Sequence, residues 1–204
     1  MNLSDLSVLN RLSAGALLAA ALSPLALGPA LAQAQTQAPA QALVAGQSEL
    51  SFVATQVGVP LNGRFKAFSV QSNFNPKAPA AGQIAFTVDL GSVSMGAETD
   101  AELVKPEWFH TARFPKATFQ STAIRAMGPG KFEVTGKLSV KGIARELKVP
   151  VQLSQAQGLS TATGAFTLRR LDHQIGAGDW SDTSVVANDV QVKFKLVLQG
   201  MPAM

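Results

Sequence analysis

The sequence predicts an all-β domain of eight antiparallel strands, and three observations carry that prediction. Apolar residues recur at every second position in four separate stretches, the period of a strand with one dry and one wet face. Turn signals such as Gly128-Pro129-Gly130 and Gly142 fall between stretches. With 47% hydrophobic and 15% charged residues among 204, the chain can bury one core of ordinary size, and disorder is excluded for most of it.

The four regular stretches are Ile84–Leu90, Phe132–Val140, Leu147–Leu153 and Val190–Leu198, the last broken only by Val197. Four less regular ones are Glu49–Thr55, Gly63–Phe74, Ala117–Ala126 and Thr161–Arg170. One long interruption, Gly96–Pro115, carries the most helical pattern, around Glu98–Val104 and Pro106–His110, with Pro106 suited to a first helical turn. Strands this amphipathic bury their dry faces either in a closed barrel or in a two-sheet sandwich. Ten residues at ~3.3 Å each reach ~33 Å, which favours the barrel. Its interior would be packed solid or hold one elongated apolar ligand, because the inward set is aliphatic and aromatic with Ala54, Gly136 and Gly164 interspersed.

Residues 1–32 read as a secretory signal peptide: Arg11, the apolar run Ala14–Leu27, then Ala30-Leu31-Ala32 as a small-x-small cleavage pattern. An uncleaved anchor is the alternative, although Pro24, Gly28 and Pro29 interrupt a run barely long enough to span. Cleavage after Ala32 leaves the net charge at +4 and places the chain in a periplasm or outside a cell. Gln33–Gly46, rich in Ala, Gln and Pro, reads as a flexible leader, so the expected domain is 47–204.

The composition removes most chemistry. Zero cysteines exclude disulfides, thiol catalysis and thiolate zinc sites. The mild, scattered positive charge is that of a solvated surface and not of a nucleic-acid interface. His110 and His173 have no third metal-binding partner at ligand spacing and read as loop or surface residues. Asp172-His173 and Trp180-Ser181-Asp182 supply triad residue types, but no Gly-x-Ser-x-Gly elbow presents a serine. Gly176-Ala177-Gly178 lacks the third glycine and the strand–turn–helix setting of a phosphate loop. Glu98, Asp100, Glu102 and Glu107 read as the wet face of a helix. No catalytic residue, metal or cofactor is expected. An enzymatic alternative needs an inward titratable group, with His173, Asp172 and Glu107 as candidates.

Several blocks together resemble the YceI-like lipid-binding family. They are Val57-Gly58-Val59 with Gly63-Arg64-Phe65 and Phe68, and Trp108-Phe109 followed by Phe114–Ser121. Then come Thr135–Gly142, Pro150-Val151, and Arg169 through Ile175-Gly176 to Trp180. The resemblance covers Ser48 to about Gly200. It implies a lipocalin-like eight-stranded antiparallel barrel, with a short helical segment near 98–110, that holds a polyprenyl chain or quinone tail. It implies no cofactor. The chain departs from the family at Gln56 and Lys141, where a histidine is frequent. Val59-Pro60 with Trp180-Ser181-Asp182 resembles a subgroup associated with membrane cytochrome b partners.

The expected binding surface follows. Phe52, Ile84, Phe86, Val88, Phe132, Val134, Leu138, Val149, Val192 and Phe194 line the bore. Phe65, Phe68 and Phe166 extend it, and Trp108, Phe109 and Trp180 form a lid or plug at its mouth. Arg64, Arg113 and Arg169 are the head-group candidates, because a guanidinium suits phosphate or carbonyl oxygens. The function expected is carriage or buffering of an isoprenoid or quinone-like lipid. A solid barrel that docks a membrane redox protein is the alternative.

Overall fold

The structure, a computed structural model, describes residues 41–204. The predicted signal peptide and residues 33–40 of the predicted leader lie outside the described residues. Eleven strands form one sheet: β1 (Ala42–Leu43), β2 (Glu49–Gln56), β3 (Val59–Phe65), β4 (Phe68–Ser72), β5 (Ile84–Asp89), β6 (Val93–Ser94), β7 (Lys116–Gly128), β8 (Lys131–Val140), β9 (Ile143–Ala156), β10 (Leu159–Arg169) and β11 (Asp189–Gln199). All pairings are antiparallel, in the order β4-β5-β7-β8-β9-β10-β11-β2-β3-β6, with β1 added on β11.

Local chemistry builds the hairpins. Val57-Gly58, Lys141-Gly142 and Gln157-Gly158 each place two successive residues at positive φ (48° and 76°, 53° and 77°, 51° and 77°), the backbone of the tight turn that matches strand twist. Valine is an unusual choice there, since a β-branched side chain is strained in the left-handed region. Its 71% exposure shows that no packing holds it in place.

Two of the predicted strands are each bent into two. Gly63–Phe74 divides at Lys66-Ala67 into β3 and β4, and the chain after Asp89 turns through Leu90–Ser92 into β6. Asp89 accepts from Gly91 N–H, Lys66 N–H donates to Ser92 O, and Ala67 N–H donates to Ser92 Oγ, so the two bends are bonded to each other. With each bent pair counted as one strand and the two-residue β1 set aside, eight remain, and they close into a barrel. Ala117–Ala126 looked irregular because β7 contains register shifts between Ser121 and Ala123 and between Ala126 and Gly128. Each extra residue moves the following side chains to the other face.

Other expectations need correction. The first described residues are not a free leader: Ala42 and Leu43 pair with Gln199 and Leu198, and Val44 N–H donates to Val197 O. Val197, which breaks the alternation of β11, is buried beside that added strand. Within the 96–115 interruption only Ala97–Leu103 is helical (α1), begun by Gly96 with Glu98 and Asp100 in its first turn. The Pro106–His110 stretch is a series of turns, in which Trp108 N–H donates to Lys105 O and Phe109 N–H to Leu103 O. No helix among the described residues is long and apolar enough to cross a membrane.

Candidate functional site: an apolar cavity along the barrel

The buried apolar residues form two clusters. One holds Leu50, Phe52, Val88, Leu90, Val93 and Phe109, and the other Phe74, Ile124, Phe132, Val134 and Leu153. Between them runs a cavity of about 530 Å³ whose wall takes side chains from both. That volume is within the range of small-molecule sites.

Glycines facing inward make the room and aromatic rings cover them. Phe52 pairs with Gly63 and Phe194 with Gly164, and the Phe119 ring lies against Gly136. A Cβ at any of the three glycines would overlap the ring above it. Gly63→Ala, Gly136→Ala and Gly164→Ala are each expected to cost about 1–3 kcal/mol, from overpacking, and to tilt the ring into the bore. Urea unfolding midpoints of the three variants check this; unchanged midpoints would mean that the rings are free to swing away.

The predicted lining residues Phe52, Phe65, Ile84, Phe86 and Val88 lie on the cavity wall, as do Phe132, Val134, Leu138, Val149 and Phe166, and Val192 and Phe194. Trp108, Phe109 and Trp180 close one end, with Phe109 against Phe65 at 5.9 Å between ring centroids and Trp108 against Trp180 at 5.4 Å. Phe68 is not on the wall; it packs on Phe86 at 5.6 Å. The three predicted arginines are not on it either. Arg64 is exposed because the inward positions of β3 are Leu61, Gly63 and Phe65. Arg113 sits over the Phe114 ring at 5.2 Å. Arg169 faces solvent, with its Nε 4.0 Å from Asp172 Oδ2. The polar rim of the cavity is instead Thr55, Gln56, Glu98, Thr99 and Glu102, the last paired with Lys105.

The arginine that does reach the wall is Arg170, 1% exposed. Among the described residues it has no acid partner, and it spends its donors on carbonyls. Nε donates to Ala187 O, Nη1 to Ile175 O and Gly176 O, and Nη2 to Trp180 O and Val186 O, at 2.6–3.0 Å. Burial lowers its pKa from the usual guanidinium value, yet arginine starts high enough to stay charged. The residue pins the whole 170–188 segment over the barrel end. Gly176, at φ 68°, lies so close to Nη1 and to the Trp108 ring that only glycine fits. Alternation across Thr161–Arg170 already pointed Arg170 inward with Phe166 and Leu168; its position in an Arg-Arg pair hid the signal.

Of the titratable groups an enzymatic reading needs, His173, Asp172 and Glu107 all lie off the wall. His173 is not a surface residue: it is 2% exposed, and its Nδ1 lies 3.0 Å from Ile143 O. A carbonyl only accepts, so Nδ1 carries the proton. Burial lowers the His173 pKa, opposed by the bond to Ile143. The folded state therefore binds its proton less readily than the unfolded chain, and stability is complete above the unfolded value of about 6.5. It is lost as pH falls from there through the lower folded value. Wild type is expected to lose stability relative to His173→Gln as pH falls from 7 to 5; parallel curves would refute this. Lys141, at a position where the resemblance favours histidine, donates to Gln174 O at 2.7 Å and so ties the β8–β9 turn to the same end cap. Among the described residues no group of three His, Cys, Asp or Glu could hold a metal ion.

An antiparallel barrel built around a predominantly apolar bore defines a lipocalin-like protein. The chain belongs to the YceI-like family: the family model for the YceI-like domain matches residues 42–198. Protein YceI of Salmonella arizonae is 33% identical over 94 residues, 46% of this chain and 49% of that protein. The chain thus aligns with about half the length of the curated relatives it matches. Among solved structures, Burkholderia cenocepacia BcnA is similar with TM-score 0.73 and 38% identity, covering 76% of this chain and 98% of that one. A polyisoprenoid binding domain from Saccharophagus degradans shares the fold at TM-score 0.64 and 20% identity, over 79% and 98% of the two chains.

Proposed function

We propose that this is an exported binding protein that holds a long isoprenoid or quinone-like chain inside its barrel, as carrier or buffer in a periplasm. The continuous apolar bore of about 530 Å³ carries the reading. Each Å² of apolar ligand surface taken from water there contributes roughly 25 cal/mol, so a greasy tail binds without any specific polar contact. Family membership supports it, as does the description of the Saccharophagus neighbour as polyisoprenoid-binding. Export rests on the signal-like residues 1–32. A cytochrome b-type membrane partner belongs to the same reading, through Val59-Pro60 and Trp180-Ser181-Asp182.

The test is native mass spectrometry of protein purified from its own host, followed by solvent extraction and identification of what is released. A stoichiometric isoprenoid or quinone is expected. A bare protein mass, with no uptake of added polyprenol or quinone, would overturn the proposal in favour of a module that only docks a partner.

A further inference from the structure

Two long neighbouring strands of the barrel wall, β9 and β10, are joined by a ladder over only part of their length. β9 and β10 pair from Ala156/Leu159 to Val151/Gly164, and there the ladder stops. Both strands continue: β9 has Ile143–Pro150 still on the near side and stays paired to β8, and β10 runs on to Arg169 paired to β11. The first β9 residue beyond the last pair is Pro150, which has no N–H to offer a ladder. No ladder pair joins 143–150 to 165–169, which leaves a seam.

The seam is bounded at both ends. Above it stands the Val151/Gly164 pair, and below it His173 Nδ1–H bonds Ile143 O and Lys141 bonds Gln174 O. Its lips, about five residues of β10 at ~3.3 Å each, are long enough to pass an extended chain sideways. Directly behind it Leu147, Phe166 and Leu168 line the cavity, and each is only partly buried. This stretch of wall can part without breaking a ladder pair, whereas parting the paired stretches on either side of β9 and β10 exposes donors and acceptors that were bonded.

We infer that the seam between β9 and β10 is the portal through which the apolar chain enters and leaves the bore. The inference rests on the lipid-binding reading above, and it makes the route lateral, past Leu147 and Phe166, instead of through the polar rim of Gln56, Glu98 and Thr99. A flexible hydrocarbon then slides between apolar side chains and does not have to be drawn past charged groups.

The chain contains no cysteine, so staples can be placed cleanly. Continuing the register puts exposed Lys148 opposite exposed Thr167 across the seam, and Gln152 opposite Thr163 is an already paired position above it. Lys148→Cys/Thr167→Cys and Gln152→Cys/Thr163→Cys are each joined with a bismaleimide, or capped singly with N-ethylmaleimide. Uptake and release of retinol, a fluorescent isoprenoid alcohol, are followed by stopped flow. The seam staple is expected to slow both rates at least tenfold with equilibrium affinity unchanged, and the capped pair and the upper staple to leave them as in wild type. Unaltered rates in the seam-stapled protein overturn the portal, as does equal slowing by both staples, which would report general stiffening. If wild-type protein takes up no retinol, polyprenol or quinone, the lipid-binding reading falls and the portal with it.

Discussion

Replacing Arg170 with leucine will lower the stability of the domain by about 4 kcal/mol or more, because each buried acceptor left without a donor costs roughly 1–3 kcal/mol. Five carbonyls, those of Ile175, Gly176, Trp180, Val186 and Ala187, lose their partner at once. For a domain of this size each kcal/mol shifts the melting temperature by roughly 2–4 °C, so a fall of about 8–16 °C is expected. Arg170→Lys recovers only part of it, since an ammonium has three donors where the guanidinium has five. Thermal unfolding followed by circular dichroism measures both. A loss under about 1 kcal/mol for the leucine variant would mean that the 170–188 segment is held by its apolar contacts at Ile175 and Val186, and that Arg170 is dispensable.

The second large effect is on ligand length. Ala162 lies on the cavity wall toward the end formed by Phe74, Phe132 and Leu153, away from the Arg170 cap. Ala162→Trp puts an indole across that end and shortens the bore. Affinity for octaprenol is expected to fall at least tenfold, the equivalent of about 1.4 kcal/mol, while farnesol binds nearly as in wild type. Titration of both alcohols by quenching of tryptophan fluorescence would show it. Equal losses for the two chain lengths would mean that the ligand does not run the length of the bore. Overpacking sets an independent cost on the fold, so the melting temperature of the variant is measured alongside.

Much of this was legible in the residues and some was not, for physical reasons. β8, β9 from Leu147 to Leu153, and β11 as far as Val197 each keep one face drier than the other, so period two alone located these stretches and oriented Phe132, Val149 and Phe194 correctly. β7 hid its phase behind two bulges, and the strand through Gly63–Phe74 hid its own behind a bend at Lys66-Ala67. In both, periodicity fails because the inserted residue resets which face is inside. The head-group arginines went wrong for a related reason. A cation in a loop or a polar strand position is read as surface unless its parity along the strand is followed to the end, and only Arg170 had inward parity.

The sequence by itself determined that the domain is an all-β shell with an aliphatic and aromatic interior, because alternation, turn glycines and composition act locally and need no distant partner. Only the tertiary structure decided that the interior is hollow. Phe rings lie flat over Gly63, Gly136 and Gly164 from other strands, and a hole depends on the sum of volumes across a barrel rather than on any one segment. It alone also decided where the ladder between β9 and β10 ends. Pro150 announces a missing donor, but which neighbour goes without is a matter of how β9 and β10 diverge once the barrel closes.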